Sequence, residues 1–246
     1  MEEAQRHIKL SKKNATGVAL VVGDPGRVDK IKVLCDSYVD LANNREYKSV
    51  ECTYKGKKFL CVSHGVGSAG CAICFEELIN IGVKVIIRAG SCGSLQPDLI
   101  KRGDLCVCNA AVREDRVTHM MIHSDFPAVA DYEVYGTLIK CAEELNIKAH
   151  TGISLSSDLY YPHKIIPTRL LDYSKANVAV VEMELSTLMV MGTLKNVKTG
   201  GIFIVDGCPL KWDEGDFDHV LAADRLENMI KISLEACSRL ADKYKI

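Results

Sequence analysis

The sequence predicts an α/β protein in which a central mixed, mainly parallel twisted sheet is flanked by helices, and three observations carry that reading. Short β-branched runs recur along the chain, helical patterns lie between them, and the runs stop at a glycine, a histidine or a charged residue. The first run is Val18-Ala19-Leu20-Val21-Val22, closed by Gly23. The others are Phe59 to Ser63 before His64-Gly65, Val85-Ile86-Ile87 before Arg88-Ala89-Gly90, Val178 to Val181 before Glu182, and Gly201 to Val205 before Asp206. Their nearly unbroken apolar character suits strands covered on both faces. Helical spacing is read over 27–35, 71–81, 132–145, 185–194 and 220–244. In the last of these, Leu226, Met229, Ile230, Leu234, Cys237 and Leu240 share a face, with Lys231, Glu235 and Arg239 opposite. No repeat, low-complexity tract or Pro/Gly/Ser-rich linker interrupts the pattern, so residues 1–246 are read as one domain.

Composition narrows the function. The 246 residues hold 31 Lys+Arg against 32 Asp+Glu, a formal net charge of −1. A dedicated nucleic-acid or acidic-membrane binder would carry a concentrated basic excess. An apolar content of 48% supplies a large core and excludes intrinsic disorder. No apolar stretch approaches the ~20 residues that span a bilayer. The acidic start, Met1-Glu2-Glu3, lacks the apolar core of a secretory signal, so a cytoplasmic, reducing location is expected. Eleven cysteines, an odd number, sit mostly in apolar runs and read as free thiols packed as small hydrophobes. Cys71-Ala72-Ile73-Cys74 has no second pair at zinc-binding spacing, and His119 with His123 lacks an acidic partner. Core packing and a surface position are the expectations for these two motifs, and no metal is expected.

In a parallel sheet the ligand lies outside the carboxyl ends of the strands, so the residues after each run matter most. Gly23-Asp24-Pro25-Gly26-Arg27 stands where a strand turns into a helix. Glycine there lets backbone N–H groups approach an oxyanion, though a plain turn with a surface arginine reads equally well. No Walker A or dinucleotide fingerprint is present. Arg88-Ala89-Gly90-Ser91-Cys92-Gly93 is more specific. An arginine closing a β-branched run must take its charge to water or to an anion, and Ser91 adds a hydroxyl. Glu182-Met183-Glu184 closes another run and opens a helix, so one carboxylate can project into a site while the other caps or pairs elsewhere. Asp206 holds the best position for a catalytic acid, with a capping aspartate as the alternative.

With these segments, and with Gly65-Val66-Gly67-Ser68-Ala69-Gly70-Cys71 and Glu77-Leu78, the chain resembles the purine nucleoside phosphorylases of the nucleoside phosphorylase-I superfamily, hexameric branch. The resemblance runs over essentially the whole chain. It implies that Gly23, Arg27, Arg88 and Ser91 bind phosphate, with Arg45 contributed by a neighbouring subunit. Met183 and Glu184 match ribose contacts, and His7 matches a histidine lent by the neighbour to the 5′-hydroxyl. Val66, Tyr160 and Val181 match positions around base and sugar, and Asp206 matches the purine-side acid. Trp212, in the segment after Asp206, is placed with the nucleoside-binding residues. The chain departs from bacterial relatives at Ala69-Gly70, at Val205 and over 207–218, and Arg225 matches their catalytic arginine only loosely.

The implied activity is phosphorolysis of 6-oxopurine (deoxy)ribonucleosides such as inosine and guanosine. It requires inorganic phosphate as co-substrate and no metal or organic cofactor. The implied assembly is a homohexamer built of dimers that share active sites. Uridine phosphorylase, methylthioadenosine/adenosylhomocysteine nucleosidase and a non-catalytic nucleoside-binding module are the alternatives. Three candidate phosphate arginines speak against the hydrolase, and a purine-side acid speaks against a pyrimidine substrate and against mere binding.

Overall fold

In chain order the elements are β1 (Val18–Val22), α1 (Pro25–Lys32), β2 (Ser37–Asn44), β3 (Tyr47–Tyr54), β4 (Lys57–Ser63), α2 (Ser68–Ile81), β5 (Val85–Ser94), β6 (Leu105–Arg113), α3 (Arg116–Met121), β7 (Ala128–Val129), α4 (Tyr132–Glu144), β8 (Ala149–Ser156), α5 (Leu170–Lys175), β9 (Val180–Glu182), α6 (Leu185–Lys195), β10 (Lys198–Gly207) and α7 (Ala223–Lys243). This is a computed structural model that describes residues 3–161, 165, 167–214 and 223–245, without the side chains at 212, 213 and 223.

The ten strands among the described residues form one mixed sheet, in the order β10-β6-β8-β9-β5-β1-β4-β3-β2, with β7 added beside β6. Its centre is parallel, β1 lying between β4 and β5 and β5 pairing with β10 on its other side. Antiparallel pairs extend it through β3 and β2. Because β10 pairs with both β5 and β6, the strands β5, β10, β6, β8 and β9 close into a circuit. A closed circuit leaves those strands no free edge at the level of the pairing.

The central strands are buried on both faces because two layers of helix cover them. Alternate residues divide between two apolar clusters, as a side-chain period of two requires. Ala19, Val21, Leu60, Val62 and Ile86 pack with α2 and α6 residues such as Phe75, Leu78 and Leu188. Val18, Leu20, Cys61, Val85 and Ile87 pack with Val28, Ile31 and the α7 residues Met229, Ile232 and Leu240. All eleven cysteines are free and ten are buried, Cys71 and Cys74 among them.

The helix ends follow the sequence. Asp24 caps α1, its carboxylate accepting from the Gly26 N–H at 2.8 Å, with Pro25 in the first turn. Gly82 ends α2 in the left-handed conformation at φ +114°. Three expectations need adjustment. Helix α1 stops at Lys32, and β5 does not end before Gly90 but runs on through Ser94. The hairpin of β2 and β3, together with β6 and β8, adds strands to those expected.

Glycines at 200 and 201 let helices approach both faces of β10. A Cβ at Gly200 would lie 2.7 Å from Val134 Cγ1 of α4, and one at Gly201 2.7 Å from Leu185 Cδ1 of α6. Gly200→Ala is therefore expected to lower stability by about 1–3 kcal/mol. Gly136→Ala, in α4 with nothing within 4 Å of the new methyl, is expected to raise it by about 0.5–1 kcal/mol. Urea unfolding of both variants beside the parent protein checks the pair. A Gly200→Ala variant as stable as the parent would mean that β10 and α4 have slack to yield.

Candidate active site

The ladder between β1 and β4 continues beyond the strands, His64 N–H donating to the Val22 carbonyl at 2.9 Å and Gly65 N–H to that of Gly23 at 3.0 Å. The two glycine-rich turns are thereby held side by side, at the carboxyl ends of their strands. Together with the ends of β5, β9 and β10 they enclose a cavity of about 570 Å³. Gly23, Arg27, Val66, Arg88 and Ser91 line it, and so do Tyr160, Val181, Met183, Glu184 and Asp206.

Arg88 organises the interior. It lies on β5 opposite Val21 of β1 and Gly201 of β10, and only 3% of its surface is exposed. A charge at that depth requires partners from every side. Its Nη2 donates to Glu184 Oε2 in a close ion pair, and its Nε lies 3.4 Å from Glu182 Oε2. Its Nη1 stands 3.4 Å from His64 Nε2, and the guanidinium covers the Phe203 ring at 5.2 Å from the centroid. Gly90 makes room, since a Cβ there would come within 2.9 Å of both Arg88 Nη1 and Phe203. Burial opposes the Arg88 charge, but the carboxylates of Glu184 and Glu182 outweigh it and raise the pKa. Burial, followed by the Arg88 charge, holds the His64 imidazole far below its ordinary value, so His64 stands neutral.

The two carboxylates of the 182–184 segment divide as the sequence suggests. Glu182 turns inward. It accepts from Ser154 and Ser156 hydroxyls and from the Glu184 and Leu185 N–H groups, both at 2.8 Å, at the start of α6. Glu184 projects into the cavity, where its Oε1 accepts from the Gly67 N–H at 2.6 Å while Oε2 takes Arg88. Burial, partly offset by Arg88, raises the Glu184 pKa.

Arg27 reaches the cavity from the first turn of α1 and donates to the Ala89 carbonyl at 3.2 Å. It forms no ion pair among the described residues, and burial followed by the neighbouring Arg88 charge lowers its pKa. Asp206 occupies a β-bulge, where the register of β10 on β5 shifts between Val205 and Gly207. A bulge re-aims a side chain out of the strand's alternation, which turns Asp206 toward the cavity instead of the core. Burial and then the charge of Asp206 raise the pKa of the Tyr160 phenol, whose ring meets Tyr161 edge-on at 5.0 Å.

Two residues assigned to the site do not line this cavity. Arg45 is exposed at the β2–β3 turn with φ +56°. His7 lies beside α2, its Nδ1 2.7 Å from Glu77 Oε1, and the side-chain amide of Asn44, the last residue of β2, donates to the His7 carbonyl at 2.8 Å. Trp212 belongs to the 3-10 segment Pro209–Glu214, but its side chain lies outside the described residues. Arg225 is exposed on α7, beside Gly103 and away from the cavity. Sequence reasoning left out Glu46 and Ser157, which line the cavity, and gave His64 no role. Position after a strand marks His64. Glu46 reaches the site from a polar hairpin turn, against the backbone of Gly65, and no local pattern signals that.

Three comparisons agree on the ancestry of this architecture. The sequence model of the phosphorylase superfamily matches residues 17–244. The chain is 81% identical to purine nucleoside phosphorylase of Plasmodium vivax over 98% of its length and 99% of the relative's. It is 75% identical to purine nucleoside phosphorylase of Plasmodium falciparum, over 99% of this chain and 100% of that one. A crystal structure of purine nucleoside phosphorylase from Toxoplasma gondii in complex with immucillin-H superposes with a TM-score of 0.96 at 42% identity, covering 99% of each chain. With the same fold, the superfamily's sequence model over residues 17–244 and identity at this level along nearly its whole length, the chain belongs to the phosphorylase superfamily.

Proposed function

We propose that this chain cleaves purine ribonucleosides and 2′-deoxyribonucleosides such as inosine and guanosine with inorganic phosphate, releasing the free base and (deoxy)ribose 1-phosphate for purine salvage in the cytoplasm. The observation that carries the reading is the pair of neighbouring guanidinium groups, Arg27 and Arg88, facing one cavity. Arg27 has no ion-pair partner among the described residues, and burial followed by the Arg88 charge lowers its pKa, an arrangement that a phosphate dianion would relieve.

In this reading phosphate lies between Arg27, Arg88 and Ser91, against the backbone of Gly23. A phosphate oxygen attacks C1′ as the C1′–N9 bond breaks through an oxocarbenium-like transition state, and the phosphate dianion stabilises the positive sugar from one face. Asp206 supplies or shares a proton at N7, so the electrons of the broken bond leave with a neutral base. Once phosphate takes over Arg88, Glu184 is released to accept from the 2′ and 3′ hydroxyls, with Met183 against the ribose. Val66, Tyr160 and Val181 pack around base and sugar. The reaction needs no metal or organic cofactor.

We propose further that the active molecule is a homohexamer of dimers with shared sites. His7 and Arg45 stand outside the cavity of their own chain and are tied together through Asn44, which supports a common route into a neighbour's site.

Base release should be strictly phosphate-dependent. Free hypoxanthine measured from inosine with and without phosphate tests this, and equal release in phosphate-free buffer would point instead to a nucleosidase.

Asp206→Ala is expected to lower kcat on inosine by ~10²–10⁴ while changing the phosphate KM little. A nucleoside with an activated leaving group should lose far less rate, and a loss as large as that on inosine would remove the acid role.

Arg45→Ala and Arg88→Ala subunits, each inactive alone, should regain partial activity when mixed, because one site of a mixed dimer then holds both defects and the other neither. Failure to recover activity after verified subunit exchange would refute the shared site.

A further inference from the structure

Helix α2 buries a carboxylate that the reaction does not use. Its inward face is apolar, with Cys71, Cys74, Phe75, Leu78 and Ile81 in the core, yet Glu77 on the same helix is only 8% exposed. A buried carboxylate persists only where donors satisfy it. Among the described residues all of them come from the segment before β1. The His7 backbone N–H lies 3.0 Å from each Glu77 oxygen, the Ile8 N–H donates to Oε2 at 2.8 Å, and His7 Nδ1 sits 2.7 Å from Oε1. Ile8 and Leu10, fully buried, anchor the segment on either side of Lys9, and the His7 ring packs edge-on against Tyr47 at 5.7 Å.

We propose that Glu77 is a positioning residue for His7, and that it decides which ring nitrogen His7 offers to substrate. A carboxylate oxygen can only accept. Opposite it, Nδ1 must carry the proton, and neutral His7 is held as the Nδ1–H tautomer. Nε2 then keeps its lone pair, and it has no hydrogen-bond partner among the described residues. The ring therefore offers an acceptor to a hydroxyl O–H. This deepens the reading in which His7 meets the 5′-hydroxyl in the partner's site, and it rests on that reading.

The test uses the full-length protein labelled with 15N-histidine, His7 being assigned by comparison with a His7→Asn variant. Imidazole 15N shifts should report the Nδ1–H tautomer for neutral His7 in the parent protein. In Glu77→Gln the side-chain amide can donate to Nδ1, so the population should move to Nε2–H. An unchanged tautomer in that variant, with the segment still folded by backbone shifts, overturns the proposal. Kinetics supply the second arm. Glu77→Gln should lower kcat/KM for inosine about tenfold, the loss of one good hydrogen bond, and leave 5′-deoxyinosine within about twofold. Equal losses on both substrates would make Glu77 merely structural and overturn its positioning role. His7→Ala separates the two ideas. If it too leaves the inosine to 5′-deoxyinosine ratio unchanged, the 5′-hydroxyl reading fails, whereas the tautomer shift still reports on Glu77 and His7 alone.

Discussion

A guanidinium placed in the middle of a sheet must be neutralised, and most of the site follows from how Arg88 meets that demand. Glu184, Glu182, His64 and Phe203 each face it, and they come from three different stretches of chain. Glu182 in turn organises the start of α6 through the Glu184 and Leu185 N–H groups. Removing any one partner would leave a buried charge short of contacts, a defect worth more than the contact itself. Without a bound anion the circle closes through Glu184. In the proposed reaction the residue that serves the sugar therefore serves the arginine first, and phosphate and nucleoside would be linked through one carboxylate.

The legibility of the molecule in its sequence varies with the origin of each signal. Strands β1 and β5 stand out because both of their faces are covered and no polar residue interrupts Val18–Val22 or 85–87. Strand β2 does not, because its first residues Ser37, Tyr38, Val39 and Asp40 are exposed and carry no apolar alternation. The strand-end rule located Gly23, Arg88, Glu184 and Asp206 since each follows or closes an apolar run. It could not separate the work of Glu182 from that of Glu184, which depends on Ser154 and Ser156 of β8 lying beneath one and Gly67 beneath the other. Glu46 and Glu77 are illegible for the same reason. Their partners lie in segments brought together only by the fold.

The closed circuit of β5, β10, β6, β8 and β9 bears on precision. Asp206 and Ser91 stand on strands whose neighbours are fixed on both sides, and the bulge at Asp206 interrupts the pairing of β10 with β5 only locally. Arg27 and Val66, by contrast, stand at or just before the first turns of α1 and α2. Those turns are coupled mainly through the backbone bonds that join Gly23 to Gly65. Asp206, assigned to the leaving base, and Ser91, assigned to phosphate, thus stand on strands paired on two sides, whereas Arg27 and Val66 are framed partly by turns.

Helix α7 has a bearing on biosynthesis. It follows every strand in the chain, and it packs on β1, β4, β5 and β10 as well as on α4. Met229, Ile232, Leu234, Ala236, Cys237 and Leu240 supply much of the cluster that covers Val18, Leu20, Val85 and Ile87. A nascent chain that has completed β10 therefore carries a paired sheet with one apolar face still lacking much of its cover. That face is a sticky surface for as long as translation lags. The interval between the last strand and the last helix is the period in which a chaperone, or a second unfinished copy, meets the protein at its most adhesive.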